Sequence, residues 1–491
     1  MKSKFSKVLS ILLSIVLVIS SFYLLYQVIR LNVLPSKFLF PLTIGVVVLD
    51  AIFVLLLVYF SRNVVFKMIC IVLTLFICLA SCMGGYYISK TQGALSNITS
   101  VAKHAKNTVS VVVKESSSIQ NKSQLNGISV GTLRLNEEGS KKALKELSGE
   151  GIVLNQTSYD SMTALLEAFY NGEVDSIIIN ESSRSQILDM EAYSNFDSNT
   201  RVVYQTSYKV KNNDSATSVS DITSKPFNVL ISGSDSRGGF DENGRSDVIM
   251  VATVNPKTHT ILLTSVPRDF YVTTACDAGD GCMQGALDKI THTGIHGTNT
   301  TKRTVEQLLG IEINYTFKVG FDTVTELVDV LGGVDVYVEP GYATTTSEFS
   351  VHEGVNHLNA QQALAYARER YSYTEGDRQR TKNQQQVLMG IVKEATKPSV
   401  ITNYAAIMDT MANTFSTTMS NEEITALIKY QLNNNPTWKM EQYMVDGTGD
   451  TLMCAELGDA ASVMVPDQST VKTAKDKINA VLAGKSSEDV Q

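Results

Sequence analysis

The chain has 491 residues, 44% of them hydrophobic, and a formal net charge of −7. That length has room for a membrane region and two or three domains. The charge is unevenly spread: residues 1–90 hold eight Lys and Arg against one acid, and the rest holds 34 against 48, which makes the larger part a poor partner for nucleic acid, because such binding rests on neutralising phosphates.

Three apolar runs open the chain, at about 8–29, 38–60 and 64–83. Each is long enough for the roughly 20 residues that a bilayer-spanning helix needs. A cleavable signal peptide would be one shorter run without two more spans behind it. Asp50 falls in the second run, where an acid is either functional or paired with a neighbouring helix. Lys2, Lys4, Lys7, Arg62 and Lys67 flank one side of the spans and Arg30 and Lys37 the other. The excess of positive charge predicts a cytoplasmic N-terminus and an extracellular remainder, although Lys90, Lys103 and Lys106 reduce the margin. Cys70, Cys78 and Cys82 lie in the third run and read as packing residues. Residues 91–106 read as a polar stalk.

Residues 107–212 alternate strand-like and helix-like stretches. Strands are expected at 108–113, 127–133, 151–154, 174–179 and 201–204, with helices at 138–147 and 161–170. This is the pattern of a small α/β accessory domain. It contains no phosphate loop and no nucleophile constellation, so an accessory or spacer role is expected. Residues 213–224 are low in apolar content and form a linker.

The main domain, 225–472, is expected to be α/β as well. Its strands are predicted at 227–232, 248–254, 260–266, 334–338 and 439–445. Helices are predicted at 300–309, 321–331, 360–369, 378–396, 404–415 and 422–431, and residues 473–491 read as a charged tail. Within it, Cys276 and Cys282 close a short loop as either a disulfide or two thiols, and Cys454 stands alone.

The residues that carry chemistry lie at the ends of these elements, where α/β folds place ligands. Asp235 follows the first strand in Gly-Ser-Asp-Ser-Arg-Gly-Gly, Arg245-Ser-Asp247 precedes the second, and Val266-Pro-Arg-Asp269 follows the third. Arg368 and Arg370 are two apart and reach one ligand only if the helix ends between them. Asp377 opens the next helix, either as its cap or as a catalytic acid. Arg380 sits in that helix's first turn, where free N–H groups attract anions, and shares a face with Gln384. Arginine forks match phosphate oxygens, and carboxylates beside them suit a hard cation. The bland alternative is a set of surface ion pairs between these arginines and Glu369, Glu375 and Asp377.

Gly233-Ser-Asp235, Arg245-Ser-Asp247, Val266-Pro-Arg-Asp269, Tyr366-Ala-Arg-Glu-Arg370, Gly376-Asp-Arg-Gln-Arg380 and Asn383-Gln-Gln together resemble the LytR-CpsA-Psr family. With three spans and an accessory domain the chain is similar to the CpsA branch, associated with capsule biosynthesis. The resemblance implies an α/β sandwich with an apolar lipid pocket. It also implies a phosphotransferase that moves a glycan phosphate from undecaprenyl pyrophosphate to peptidoglycan. Arg268, Arg368, Arg370, Arg380 and Gln384 would bind the pyrophosphate. Asp235 and Asp247 would hold Mg²⁺, Arg245 would support the site, and Asp377 would help deprotonate the acceptor. Other capsule-assembly proteins are expected partners. The competing readings are a non-catalytic polyprenyl-phosphate-binding regulator of capsule assembly and a transcription regulator; no helix-turn-helix with a basic face supports the latter.

Overall fold

The computed structural model describes residues 2–60, 63–101, 104–134, 137–211, 213–234, 242–277, 280–397 and 400–490. Asp235 therefore lies outside the described residues. The apolar runs form α1 (Lys2–Leu31), α2 (Ser36–Leu55) and α3 (Val64–Val101). Three segments, Ser6–Leu31, Ser36–Tyr59 and Val64–Thr99, are long and apolar enough to cross a membrane. Pro35 caps α2, and its extended backbone sets the turn from α1. Ser21 Oγ donates to Asp50 Oδ1 at 2.9 Å, so the acid is paired across helices, the plainer of its two readings. The stretch expected as a stalk, 91–106, is not a separate segment: α3 continues to Val101 and a strand begins at His104.

The next module is a five-stranded sheet in the order β3-β2-β4-β1-β5. Its strands are β1 (His104–Lys114), β2 (Ser129–Leu133), β3 (Asn155–Tyr159), β4 (Ser176–Asn180) and β5 (Thr200–Lys211). Helices α4 (Glu137–Gly149), α5 (Met162–Asn171), α6 (Arg184–Asp189) and α7 (Phe196–Asn199) complete it. Alternation along the strands divides their side chains between two cores. Val112, Ile177 and Ile179 pack with Leu165, Leu166 and Phe169 of α5. Val111, Val130 and Ile178 pack with Ala143 and Leu147 of α4. The strand expected at 151–154 lies instead at 155–159: Gly151 turns with φ +82°, and Asn155 is the residue that comes into register with Ser129. β5 is far longer than the expected 201–204, because pairing with β1 along its length from Lys211 to Thr200 recruits polar residues that carry no strand signal of their own.

A six-stranded mixed sheet organises the main domain, in the order β16-β11-β6-β7-β8-β17. Its first strands are β6 (Phe227–Ser234), β7 (Ser246–Asn255) and β8 (Thr260–Ser265), followed by the small pair β9 (Tyr271–Thr273) and β10 (Leu287–Lys289). Cys276 and Cys282, between that pair, form a disulfide. Next come α8 (Thr298–Leu309), β11 (Tyr315–Gly320) and α9 (Phe321–Leu331), then β12 (Val334–Val338), β13 (Thr344–Thr345), β14 (Ser350–Val351) and β15 (Gly354–Leu358). α10 (Ala360–Arg368) and α11 (Asp377–Ala395) carry the late arginines. α12 (Val400–Thr414), β16 (Phe415–Thr417), α13 (Asn421–Asn434), β17 (Lys439–Met444), β18 (Gly447–Cys454), β19 (Asp459–Pro466) and α14 (Gln468–Leu482) close the chain.

Two compact units result, and residues 396–412 and 420–436 belong with α1–α3 rather than with the sheets. Within that unit Lys90 Nζ meets Asp409 Oδ2 at 2.9 Å. In the other unit, Leu230, Ile249, Val251 and Leu262 of the six-stranded sheet pack with Val305 and Leu309 of α8. Val471, Ala474, Ile478 and Val481 of α14 join the same core. The expected polar tail from 473 is thus a core helix. Its apolar residues recur every three or four positions, and the lysines between them hide the pattern.

The 213–224 segment is irregular, as expected of a linker, yet it is pinned. Lys302 Nζ donates to Ser215 O at 2.8 Å and the Val219 N–H donates to Tyr315 Oη at 2.9 Å. Asp214 accepts from Thr316 Oγ1, and burial pushes its carboxyl up to about 6 against the opposing pull of that bond and of Lys302. A carboxyl raised on folding is held protonated by the folded state, so its contribution to stability is full below the unfolded value near 4 and is lost as pH rises through about 6. Asp214→Asn is therefore expected to flatten the stability-versus-pH curve between pH 4 and 7 by about 3 kcal/mol, measured by denaturant unfolding at stepped pH; a curve as steep as that of the parent protein would refute the assignment.

Candidate functional site

The strand order brings the early motifs together. β7 lies between β6 and β8, and β8 runs antiparallel to it, so the start of β7 and the end of β8 share one sheet edge. Asp247, the second residue of β7, meets Arg268 just past β8: Arg268 Nη1 lies 3.0 Å from Asp247 Oδ1. Thr291 Oγ1 donates to the same oxygen at 3.2 Å. Arg268 also lies 3.9 Å from Asp269, which in turn meets Lys289 at 3.2 Å. Arg245 is buried, and its Nη1 bonds Asp189 of α6.

The late motifs come from α10 and α11. α10 ends at Arg368, as the spacing of Arg368 and Arg370 requires. Arg368 is exposed there, and Arg370 lies in the following loop with its guanidinium 4.6 Å from the Tyr371 ring. Gly376 turns into α11 with φ +55°, a conformation that suits a residue lacking Cβ. Asp377 is the first residue of α11 rather than a cap outside it, and it pairs with Arg380 one turn on. Gln384, a further turn along, is half-buried.

Electrostatics tie the two groups into one neighbourhood. Burial alone would raise the Asp247 carboxyl, but Arg268 and Arg245, with a smaller effect from Arg380, hold it below the usual carboxylate range. Burial likewise opposes the charge on Arg268, yet Asp247 and Asp269 keep it firmly protonated. Burial, the largest influence, holds Arg380 below the usual arginine range; Arg268 and Arg370 add to it, and Asp377 and Asp247 oppose it. The Nε atoms of both Arg268 and Arg380 are buried without a hydrogen-bond partner. Two guanidinium donors left without hydrogen bonds are what an anion with several oxygens would satisfy.

Arg245, Asp247, Arg268, Arg370, Asp377 and Arg380 are thus brought together, whereas Arg368 and Gln384 are placed on adjoining turns of the same helices. Four further residues join the site without having been singled out by the sequence. Asp269 stood inside a recognised motif. Lys289 ends a three-residue strand too short to register and Thr291 follows it, and Asp189 lies in a different module with no motif around it. Arg245 and Arg268 line a cavity of about 490 Å³ whose other wall includes Asp189 and Tyr193.

Mg²⁺ needs one or two carboxylates, with phosphate and water completing its shell. Asp247 fits this requirement: it is ionised, and the hydrogen bonds from Arg268 and Thr291 both fall on Oδ1. Among the described residues no cluster of three or more His, Cys, Asp or Glu could form a closed metal cage.

The LytR_cpsA_psr family model matches residues 192–480. The chain is 30% identical over 236 residues to the polyisoprenyl-teichoic acid–peptidoglycan teichoic acid transferase TagU of Bacillus cereus (strain AH820), covering 48% of this chain and 74% of that protein. It is 35% identical over 196 residues to the TagU of Bacillus subtilis (strain 168), covering 40% and 60% respectively. The crystal structure of B. subtilis TagU is 28% identical with a TM-score of 0.41, over 52% of this chain and 97% of that one.

Removing the Asp247 charge would leave Arg268 and Arg245 without the carboxylate they share, although Asp269 and Asp189 remain beside them. Asp247→Asn is expected to cost about 3–5 kcal/mol of stability, read by thermal or denaturant unfolding, and added inorganic diphosphate should recover part of that loss. A variant as stable as the parent, or indifferent to diphosphate, would mean the guanidinia are not held together by this carboxylate.

Proposed function

The chain belongs to the LytR-CpsA-Psr family, and on that premise we propose that it is a membrane-bound transferase that moves a cell-wall glycopolymer onto peptidoglycan. The relatives' transfer of teichoic acid to peptidoglycan supports the reaction class. In the finer reading the donor is a capsular polysaccharide carried on undecaprenyl pyrophosphate. Three apolar helices followed by a separate five-stranded module support the capsule assignment. The disulfide Cys276–Cys282 and the charge flanking the spans support an extracellular site.

The observation that carries the reading is the pair of buried Nε donors on Arg268 and Arg380 that lack a hydrogen-bond partner, beside an ionised Asp247. A diphosphate would accept from both guanidinium forks, with Arg370, Arg368 and Gln384 reaching it from the ends of α10 and α11. For the lipid tail, strand alternation turns Val229, Ile231, Met250, Ala252 and Leu263 to the sheet face opposite the core with α8 and α14. That apolar face supports a polyprenyl pocket.

The acceptor hydroxyl attacks the phosphorus that bears the glycan. A new oxygen–phosphorus bond forms while the bond to the bridging diphosphate oxygen breaks, and undecaprenyl phosphate leaves with that oxygen. The hydroxyl proton passes to a carboxylate, for which Asp377 is the candidate. Arg268 and Arg380 balance the charge that gathers on the leaving phosphate, and Arg245, fixed by Asp189, keeps Asp247 ionised. Asp247, with Asp235, would hold Mg²⁺, which when bound would neutralise phosphate oxygens.

The test is to incubate the full-length protein with an undecaprenyl-pyrophosphate-linked glycan, Mg²⁺ and peptidoglycan, and to measure covalent linkage. Arg268→Ala should lower transfer by about 10²-fold or more, and Arg268→Lys should rescue little because an ammonium lacks the fork. Chelating Mg²⁺ should stop transfer reversibly. Wild-type rates from Arg268→Ala would overturn the site, and lipid binding without any transfer would leave the non-catalytic regulator as the better reading.

A further inference from the structure

The five-stranded module, which the sequence presents as an accessory or spacer domain, supplies one wall of the cavity that Arg245 and Arg268 open onto. At about 490 Å³ the cavity falls within the roughly 300–1,000 Å³ range of small-molecule pockets. Its lining is mixed in charge. Arg245, Arg268 and Lys289 are paired there with Asp189 and Asp269, whereas Glu167, Glu191 and Asp459 add further carboxylates, Glu167 and Asp459 close to Tyr193. A second phosphate would be repelled by these carboxylates, but hydroxyl and amide groups would find acceptors there.

Two further features of the module's wall point to a ligand. Gln186 lines the cavity, is only 2% exposed, and its Nε2 has no hydrogen-bond partner. An unspent buried amide costs about 1–3 kcal/mol, a cost that a ligand oxygen could offset. Tyr193 also lines the cavity and stacks on Tyr170, with ring centroids 5.3 Å apart and planes at 25°. Burial, with Glu167 and Asp459 close by, raises the Tyr193 hydroxyl, so the phenol stays neutral. A neutral ring braced from behind offers an apolar face, while the carboxylates around it offer acceptors. That pairing fits a sugar ring, which has an apolar face and a hydroxylated rim.

We propose that the 163–193 wall of the five-stranded module is a sugar subsite, which holds an uncharged, hydroxyl-rich saccharide unit next to the phosphate bound by Arg245 and Arg268. This rests on the transferase reading for the phosphate end. The module then has two roles. Asp189 positions Arg245 through their ion pair, and Gln186, Tyr193 and Glu167 read the saccharide. That saccharide comes either from the donor glycan or from the peptidoglycan acceptor.

Three probes separate these sources when bound to the full-length protein in detergent micelles: undecaprenyl diphosphate, undecaprenyl diphosphate carrying one N-acetylglucosamine, and a peptidoglycan-derived tetrasaccharide. Tyr193→Ala, and independently the conservative surface pair Glu167→Gln with Glu191→Gln, should weaken one of the two sugar-bearing probes by about tenfold and leave undecaprenyl diphosphate binding unchanged. Loss confined to the lipid-linked sugar identifies the donor unit, and loss confined to the tetrasaccharide identifies the acceptor. If neither sugar probe is weakened by either variant, or if all three probes weaken alike, the proposal is overturned. Transfer to peptidoglycan is followed in the same samples. Selective sugar binding without transfer would refute the enzymatic reading while leaving the subsite standing; transfer with unaltered sugar affinity in both variants would do the reverse.

Discussion

Guanidinium groups repel one another, and they gather in a part-buried place only if carboxylates hold them there. Asp247 is the centre of that arrangement. It stands at the start of β7, accepts from Arg268 and Thr291, and is kept ionised by Arg268 and Arg245 in spite of its burial. Arg380 shows the limit of the compensation: burial makes its charged form less favoured than usual, although Asp377 and Asp247 oppose this. The cluster is therefore desolvated without being fully hydrogen-bonded: the buried Nε atoms of Arg268 and Arg380 have no hydrogen-bond partner. A site left in this condition by its own protein is prepared for an anion, and the proposed diphosphate is the group that would complete it.

This balance depends on both halves of the larger compact unit. The six-stranded sheet sets β7 against β8, and the core with α8 and α14 fixes that sheet. α10 and α11 deliver the second set of arginines, with Gly376 making the turn between them. Asp189 then reaches Arg245 from the five-stranded module. A buried arginine without that partner would bear a desolvated charge at a cost of several kcal/mol, so the module contributes to the electrostatic integrity of the site irrespective of what else it binds.

Much of the fold was legible from local signals. Apolar runs bounded by turns marked β6, β7, β8 and β12, and helical periodicity marked α8 to α11, because each of these elements buries a face that its own sequence declares. The failures share one cause. β3 and β5 are built largely of polar residues whose strand state depends on pairing with β2 and β1. α14 was hidden by lysines interspersed among Val471, Ala474, Ile478 and Val481. In each case a partner distant in sequence, not the segment's own composition, selects the structure.

For the site, sequence alone determined which residue types stand at which strand and helix ends, and that the membrane runs precede an acidic remainder. Arg245, Asp247, Arg268, Arg370, Asp377 and Arg380 could be named because arginine forks and carboxylates at strand and helix ends suit a phosphate, and because the motifs around them resemble those of one family. Tertiary structure alone decided that these six share one neighbourhood, that Asp189 of another module clamps Arg245, and that Gln186 and Tyr193 face the same cavity. The physical reason is that charge–charge coupling and cavity walls depend on distance in space, and residues 189 and 245 are neighbours only once two separately patterned sheets have folded and met.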